Sequence, residues 1–233
     1  MKRVIISWSS GKDSALTLHR MLQSDHYQVV GLFTTYSAEK ALVPIQATPI
    51  EYVRLQAQAM DLPLLEIAMD NGTSNGQYQQ TLLTALHTWD LDFDAIAFGD
   101  IYNNGIVDFR RKVFADTEIE CVFPLLKEAT CKESLDIAAQ IIESGVQAML
   151  QSINLKHLSP EFCGEIYHDE LLAKLPEQVD PCGEEGEFHT FVFDAPFFKR
   201  KIIIEPLDQV HQHYHHGSDM NMLVQRFAAQ LAD

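Results

Sequence analysis

The chain has 233 residues, 46% hydrophobic and 21% charged, enough for one large or two small domains around a substantial core. Seventeen Lys and Arg against 33 Asp and Glu give a net charge of −16, which disfavours bulk nucleic acid, because non-specific affinity for phosphates comes largely from Lys and Arg. The longest apolar runs, such as 4–6 and 202–204, fall far short of the roughly 20 residues that span a bilayer, so no membrane association is expected.

Met1-Lys2-Arg3 leads straight into a strand-like run at 4–7 with no apolar signal segment, so the expected location is the cytoplasm. A polar, Gly-containing turn at 9–14 follows, and then Ala15, Leu18 and Leu22 recur at helical spacing. Residues 27–35 read as a strand, 50–60 as a helix rich in Gln and Ala, 62–68 as a strand, 70–76 as a loop and 78–91 as a helix. A short apolar strand at 95–98 ends at Gly99-Asp100; a helix at 107–115 and a strand at 119–123 complete the half. This strand–helix alternation implies a doubly wound α/β fold, a parallel sheet with helices on both faces.

The second half has a different rhythm. A helix is expected at 133–144, with Leu135, Ala138, Ile141 and Ile142 on one face, and a strand at 146–152. A polar helix at 165–175, a dense loop at 180–189, antiparallel strands at 191–193 and 201–205, and a final helix at 222–231 follow. The two halves are expected to meet near 124–130, giving domains 1–125 and 126–233, the second a smaller α+β domain. Cys121, Cys131, Cys163 and Cys182 contain no C-x-x-C pair and are expected as reduced thiols. His211, His213, His215 and His216 read as a solvated hairpin or turn rather than a metal site, because no patterned Cys or carboxylate completes one.

Two segments carry chemistry. Ser9-Ser10-Gly11-Lys12-Asp13-Ser14 lies directly after the first strand and opens the first helix. A helix N terminus offers unpaired N–H groups and a positive dipole end, and small residues let the backbone curl around an oxyanion. Lys12 adds a positive charge, the serines add hydroxyls, and Asp13 is suited to hold Mg²⁺ against phosphates. It is not a Walker A loop, since Ile6 and Asp13 stand where that motif needs Gly and Ser or Thr. The second segment is Asp180-Pro181-Cys182-Gly183-Glu184-Glu185-Gly186-Glu187-Phe188-His189-Thr190, which packs carboxylates, a His and two glycines into one turn-rich stretch. Such a cluster suits a cationic or amine group, or a metal; the alternative is a solvated acidic surface, which the flanking Phe188 and Phe191 oppose by anchoring it.

The first segment resembles the S-G-G-x-D-S loop of the PP-loop ATP pyrophosphatases, of Rossmann-like HUP architecture. Both segments together resemble the diphthine–ammonia ligase family, whose second motif is D-P-x-G-E-x-G-E-F-H-T. Phe98-Gly99-Asp100, Asp108 with Arg110, Phe123-Pro124-Leu125 and Tyr167-Asp169-Glu170-Leu171-Leu172 extend the resemblance over roughly residues 4 to 200. Leu126 departs from the family's Trp, and Thr48 or a neighbour stands where many members carry His-Gly. The extra C-terminal domains of some eukaryotic members are expected to be missing.

The resemblance implies a ligase that adenylates a carboxylate with ATP and Mg²⁺, releases pyrophosphate, and forms an amide with ammonia. It implies pyrophosphate contacts from Ser9, Ser10, Gly11, Lys12, Asp13 and Ser14, adenosine contacts from Phe33 and Thr34, and a metal contact from Asp13. Asp100, at a strand's C-terminal end, is implied for metal or ammonia and Arg110 for a phosphate or carboxylate. Glu184, Glu187 and His189 are implied for the substrate, which is diphthine on a translation factor, or a small acid in a bacterium. Cys182 reads as structural, and a homodimer is the base-rate expectation. Two other readings stand beside this one: a tRNA-modifying PP-loop enzyme, opposed by the acidic charge, and an ATP-binding regulatory protein without turnover.

Overall fold

The computed structural model describes residues 1–44, 46–127, 131–215 and 219–232. β1 (Lys2–Ser7) leads through α1 (Lys12–Leu22) to β2 (Tyr27–Ser37). A small antiparallel hairpin, β3 (Leu42–Val43) and β4 (Thr48–Pro49), precedes α2 (Ile50–Met60) and β5 (Leu64–Met69). α3 (Asn75–Thr88), β6 (Ala95–Ala97), α4 (Ile106–Val113) and β7 (Glu120–Val122) complete the first unit. β1 pairs in parallel with β2 and β6, β2 with β5, and β6 with β7, so the parallel order is β5-β2-β1-β6-β7. The chain winds outward from β1 to β5 and then returns to β6 on the other side of β1. That reversal opens a crevice at the C-terminal ends of β1 and β6, where doubly wound sheets bind ligands.

The central strands are apolar on both faces, as strands covered on both sides must be. Val4, Ile6, Ala95 and Ala97 join one core cluster with Ala15 and Leu18 of α1 and Val53 of α2. Ile5, Ile96 and Phe98 join another with Leu82 and Leu86 of α3 and Val113 of α4. Alternation along each strand thus fills both sides of the sheet, as the sequence pattern predicts.

The second unit contains α5 (Cys131–Glu143), β8 (Gln147–Asn154), a single 3-10 turn at Pro160–Phe162, α6 (Asp169–Leu172), β9 (Phe188–Asp194), β10 (Ile202–His215) and β11 (Asp219–Leu231). Its four strands pair antiparallel in the order β10-β11-β8-β9. Ile137, Ala138 and Ile141 of α5 share a core cluster with α1, so hydrophobic packing runs unbroken between the units.

Two expectations are corrected. Segment 222–231 is not a helix but most of β11, paired with β10 from Ile202↔Leu231 to His215↔Asp219. Its short apolar run suits either period, and the β-branched partner at 202–204 decides for a strand. The helix expected at 165–175 is confined to Asp169–Leu172, with the His168 Nδ1 accepting from Leu171 N at 3.0 Å. Upstream, Tyr167 N donates to Ala148 O at 2.8 Å, so that stretch runs alongside β8 instead. His211 and His213 are exposed on β10; His216 lies outside the described residues. Cys121, Cys163 and Cys182 are free thiols.

A buried amide bridges the units. Gln56 of α2 donates through Nε2 to Ser10 O (3.1 Å) and Val192 O (2.7 Å), and its Oε1 accepts from Trp8 Nε1 (2.8 Å). Val192 N also donates to Ser10 O, at 3.0 Å. Gln56→Leu keeps the volume but strands Trp8 Nε1 and Val192 O. The expected loss is about 2–5 kcal/mol, a fall in Tm of roughly 5–15 °C by thermal denaturation.

Candidate active site

Residues of both units line a cavity of about 640 Å³ at the C-terminal ends of β1 and β6. Its floor is the loop between β1 and α1. Ser10 adopts φ +74°, a left-handed conformation uncommon for a residue with a side chain, and Gly11 caps α1 in extended backbone. Ser14 Oγ donates to Gly11 O at 2.9 Å and Ser9 Oγ lies 3.2 Å from it, so the serine hydroxyls set the curl of the loop. Gly99, after β6, is forced by close approach: a Cβ there would sit 3.0 Å from the Asp13 backbone carbon and 3.1 Å from Ser14 N. Any larger residue would push the start of α1 back from the end of β6 by a few tenths of an ångström.

The facing wall is the acidic loop before β9, which the chain builds around its own carboxylates. Asp180 Oδ1 accepts from Ser134 Oγ and Cys182 N, both at 2.7 Å. Glu187, 1% exposed, accepts from Asp180 N at 2.8 Å and Glu185 N at 2.9 Å. Gly183 takes φ +72°, and a Cβ there would lie 2.8 Å from Phe188 O. Tyr167 donates its hydroxyl to Pro181 O at 2.8 Å. The loop docks on the floor directly, since Thr190 Oγ1 accepts from Lys12 N at 3.0 Å.

Charge is concentrated between floor and wall. Lys12 is 2% exposed; its Nζ donates to Cys182 O at 2.5 Å and to both Asp13 oxygens at 3.0 and 2.9 Å. Burial opposes its charge, but Asp13, Cys182 and Glu184 outweigh burial and hold its pKa above the ordinary lysine value. Burial raises the Asp13 carboxyl despite Lys12. Glu184 is pushed up to about 8, by burial first and then by the charge of Asp13. Burial, and then Lys12, lowers His189 to about 4, so its ring is neutral near pH 7. Burial pushes the Cys182 thiol up to about 12, which removes it as a nucleophile. Arg110 grips Asp100 in a bidentate pair at 2.6 and 3.1 Å and stacks over Phe98, 4.4 Å from the ring centroid.

Ser9, Gly11, Lys12, Asp13, Ser14, Asp100, Arg110, Glu184 and His189 therefore line one cavity, although they span 180 residues of chain. Four expected contacts fall elsewhere. The fully buried Ser10 hydroxyl faces Thr48 Oγ1 at 2.8 Å, away from the cavity, and Thr48 donates on to Gln151 Oε1 at 2.7 Å. Phe33 packs its ring in the core beside Ile5 and Ile96. Thr34 is buried, with no hydroxyl partner among the described residues. Glu187 spends both carboxylate oxygens on backbone N–H groups, so it shapes the loop rather than reaching a substrate. Sequence reasoning missed Gln56, Thr190 and Tyr167, and Asn104, which also lines the cavity. Thr190 sits inside the second motif and Tyr167 inside a quoted match, so only their roles were hidden; Gln56 and Asn104 carry no local signal.

Mg²⁺ takes oxygen ligands and commonly uses only one or two protein carboxylates, the rest being phosphate and water. Asp13, with its side chain a quarter exposed, and Glu184 at the same cavity fit that demand. Among the described residues no group of three or more His, Cys, Asp or Glu could hold a metal unaided.

A stability test follows from Glu184. Without nucleotide or metal, the folded chain keeps a proton that the unfolded chain releases above its ordinary value of 4.5. Through Glu184 the folded state holds an extra proton between about pH 4.5 and about 8, so this group's contribution to stability falls as pH rises through that window and levels off beyond it, while His189, lowered to about 4, contributes a slope of opposite sign up to its ordinary value of 6.5. Glu184→Gln removes this contribution and leaves that of Asp13, of the same sign, and that of His189, of the opposite sign. The Tm of the variant relative to wild type rises across the window, by at least about 2–4 °C at pH 8, the shift that ~1 kcal/mol produces in a domain of this size.

Comparison with known proteins meets this geometry from the sequence side. The diphthamide synthase N-terminal domain matches residues 1–114, and the diphthamide synthase C-terminal domain matches residues 133–227. The diphthine--ammonia ligase of Danio rerio is 26% identical over 232 residues, covering 89% of this chain and 88% of the relative. That of Homo sapiens is 24% identical over 239 residues, covering 89% of this chain and 85% of the relative. The one from Schizosaccharomyces pombe is 25% identical over 221 residues, but those are 35% of its length. No helix among the described residues is long and apolar enough to cross a membrane. With both of its domain models matched in order along nearly the whole chain, the protein belongs to the diphthine–ammonia ligase family.

Proposed function

We propose that this chain is a cytoplasmic, ATP-dependent ligase that adenylates a substrate carboxylate and converts it to an amide with ammonia. The observation that carries this reading is the facing of two loops across one cavity: an anion-binding helix N terminus opposite a braced acidic wall. The family relatives are named diphthine--ammonia ligases, and diphthine on a translation factor is the proposed acyl substrate. A chain from a bacterium would take a small carboxylic acid in its place.

In this reading the start of α1, with Ser9, Gly11 and Ser14, cradles the β- and γ-phosphates, and leaves the α-phosphate toward the acidic wall. A carboxylate oxygen attacks the α-phosphorus, the bond to the β-phosphate oxygen breaks, and pyrophosphate leaves. Arg110, held in orientation by Asp100, presents its remaining N–H groups to a phosphate or to the attacking carboxylate. Ammonia then attacks the acyl carbon; AMP departs with the electron pair, and the surplus proton on nitrogen passes to solvent. Asp13 and Glu184 would hold Mg²⁺, whose charge would offset that gathering on the leaving pyrophosphate. Holding two anions in line is much of the work, and the rigid floor does it.

The test uses α-labelled ATP, Mg²⁺ and ammonium with a metabolite and protein pool. The expected products are labelled AMP and unlabelled pyrophosphate, with Asp13→Asn reducing turnover about a hundredfold or more. Labelled ADP in place of AMP would sink the reading. A second prediction concerns Arg110: Arg110→Lys loses the fork on Asp100 and is expected to lower kcat/KM about tenfold or more, measured as AMP release.

A further inference from the structure

In a phosphate loop a lysine is read as a phosphate ligand, yet the Lys12 side chain has nothing left to offer one. Its ammonium donates to Cys182 O at 2.5 Å and to Asp13 at 3.0 and 2.9 Å. The rings of Tyr167 and Phe188 flank it, with centroids 5.7 and 5.5 Å from Nζ. The side chain is 3% exposed. Ammonium has three protons, and these contacts use them while the two π faces cover the rest.

We propose that Lys12 is a positioning residue: it holds the Cys182 carbonyl, and with it the acidic loop carrying Glu184, against the start of α1, and does not ligate a phosphate. Resting on the nucleotide reading above, this divides the labour of the first motif. Backbone N–H groups, Ser9 and Ser14 serve the nucleotide, while Lys12 ties the substrate wall to it. The surroundings support the division. Asp180 Oδ1 and Tyr167 hold the N–H and C=O of the 181–182 peptide, and Lys12 grips the carbonyl of the next, whose Gly183 N donates to Asp180 O at 2.8 Å. The neighbouring carboxylates keep the lysine charged against the cost of its burial, and swinging it out would strand both Asp13 and a buried carbonyl.

The decisive variant is Lys12→Met, close in volume and without charge. Without nucleotide, backbone hydrogen exchange at 182–186 is expected to quicken tenfold or more, with 99–110 unchanged. Affinity for α,β-methylene-ATP with Mg²⁺, by calorimetry, is expected to stay within about threefold of wild type. A tenfold or larger loss, ~1.4 kcal/mol, overturns the proposal whatever the loop does; an unchanged loop overturns it equally. Should the variant not fold, ¹⁵N-lysine NMR on wild type decides. The Lys12 ammonium signal, shifted by the two rings, is expected to persist when the analogue is added; its loss of that ring shift on binding contradicts the proposal. If wild-type protein does not bind the analogue, the nucleotide reading fails, and the exchange comparison still tests the Lys12 tie.

Discussion

The structure turns on a backbone contact between its two units: Val192 N donating to the Ser10 carbonyl, with Gln56 closing over both. A loop held in left-handed backbone at Ser10 has few contacts of its own to keep it there. The second sheet supplies them, by way of Val192, Thr190 and the Thr48–Gln151 pair. Remove the second sheet and the first loses the strut that shapes the turn between β1 and α1. The floor of the cavity is therefore a property of both units, although its residues lie within the first 14.

The second constraint is electrostatic. Asp13, Asp100, Asp180 and Glu184 crowd a region whose cations are Lys12 and Arg110, and each cation is committed to a carboxylate. Burial and mutual repulsion keep Glu184 protonated through neutral pH. Bringing a nucleotide's negative charge into such a place is unfavourable without a counter-cation, which is the physical reason for expecting Mg²⁺ to arrive with ATP. The same excess of carboxylate favours an incoming ammonium ion or a cationic substrate group. A site that accepts cations beside a helix N terminus is what the proposed adenylating amide ligase needs.

Much of this was legible in the sequence where the signal is local. The strand–turn–helix context around Gly11 and the density of the 180–190 stretch each pointed to segments that line one cavity, because backbone demands at glycines and helix starts are written in neighbouring residues. The doubly wound order followed from alternation. What was not legible depends on contacts between distant segments. β11 reads as a helix until its partner at 202–204 is known. Glu187 reads as a ligand until Asp180 N and Glu185 N are seen to use it, and Ser10 reads as a phosphate donor until Thr48 is found beside it. Lys12 is the sharpest case: its identity suggests a phosphate, and its surroundings assign it to a carbonyl 170 residues away.

The central claim is that both units form a single adenylating site, and a crystal structure with α,β-methylene-ATP and Mg²⁺ tests it most directly. The account predicts the β- and γ-phosphates against the start of α1 and the α-phosphorus facing the 182–186 wall, open to an in-line carboxylate. A nucleotide bound away from that wall, or one presenting its γ-phosphate to it, would contradict the account.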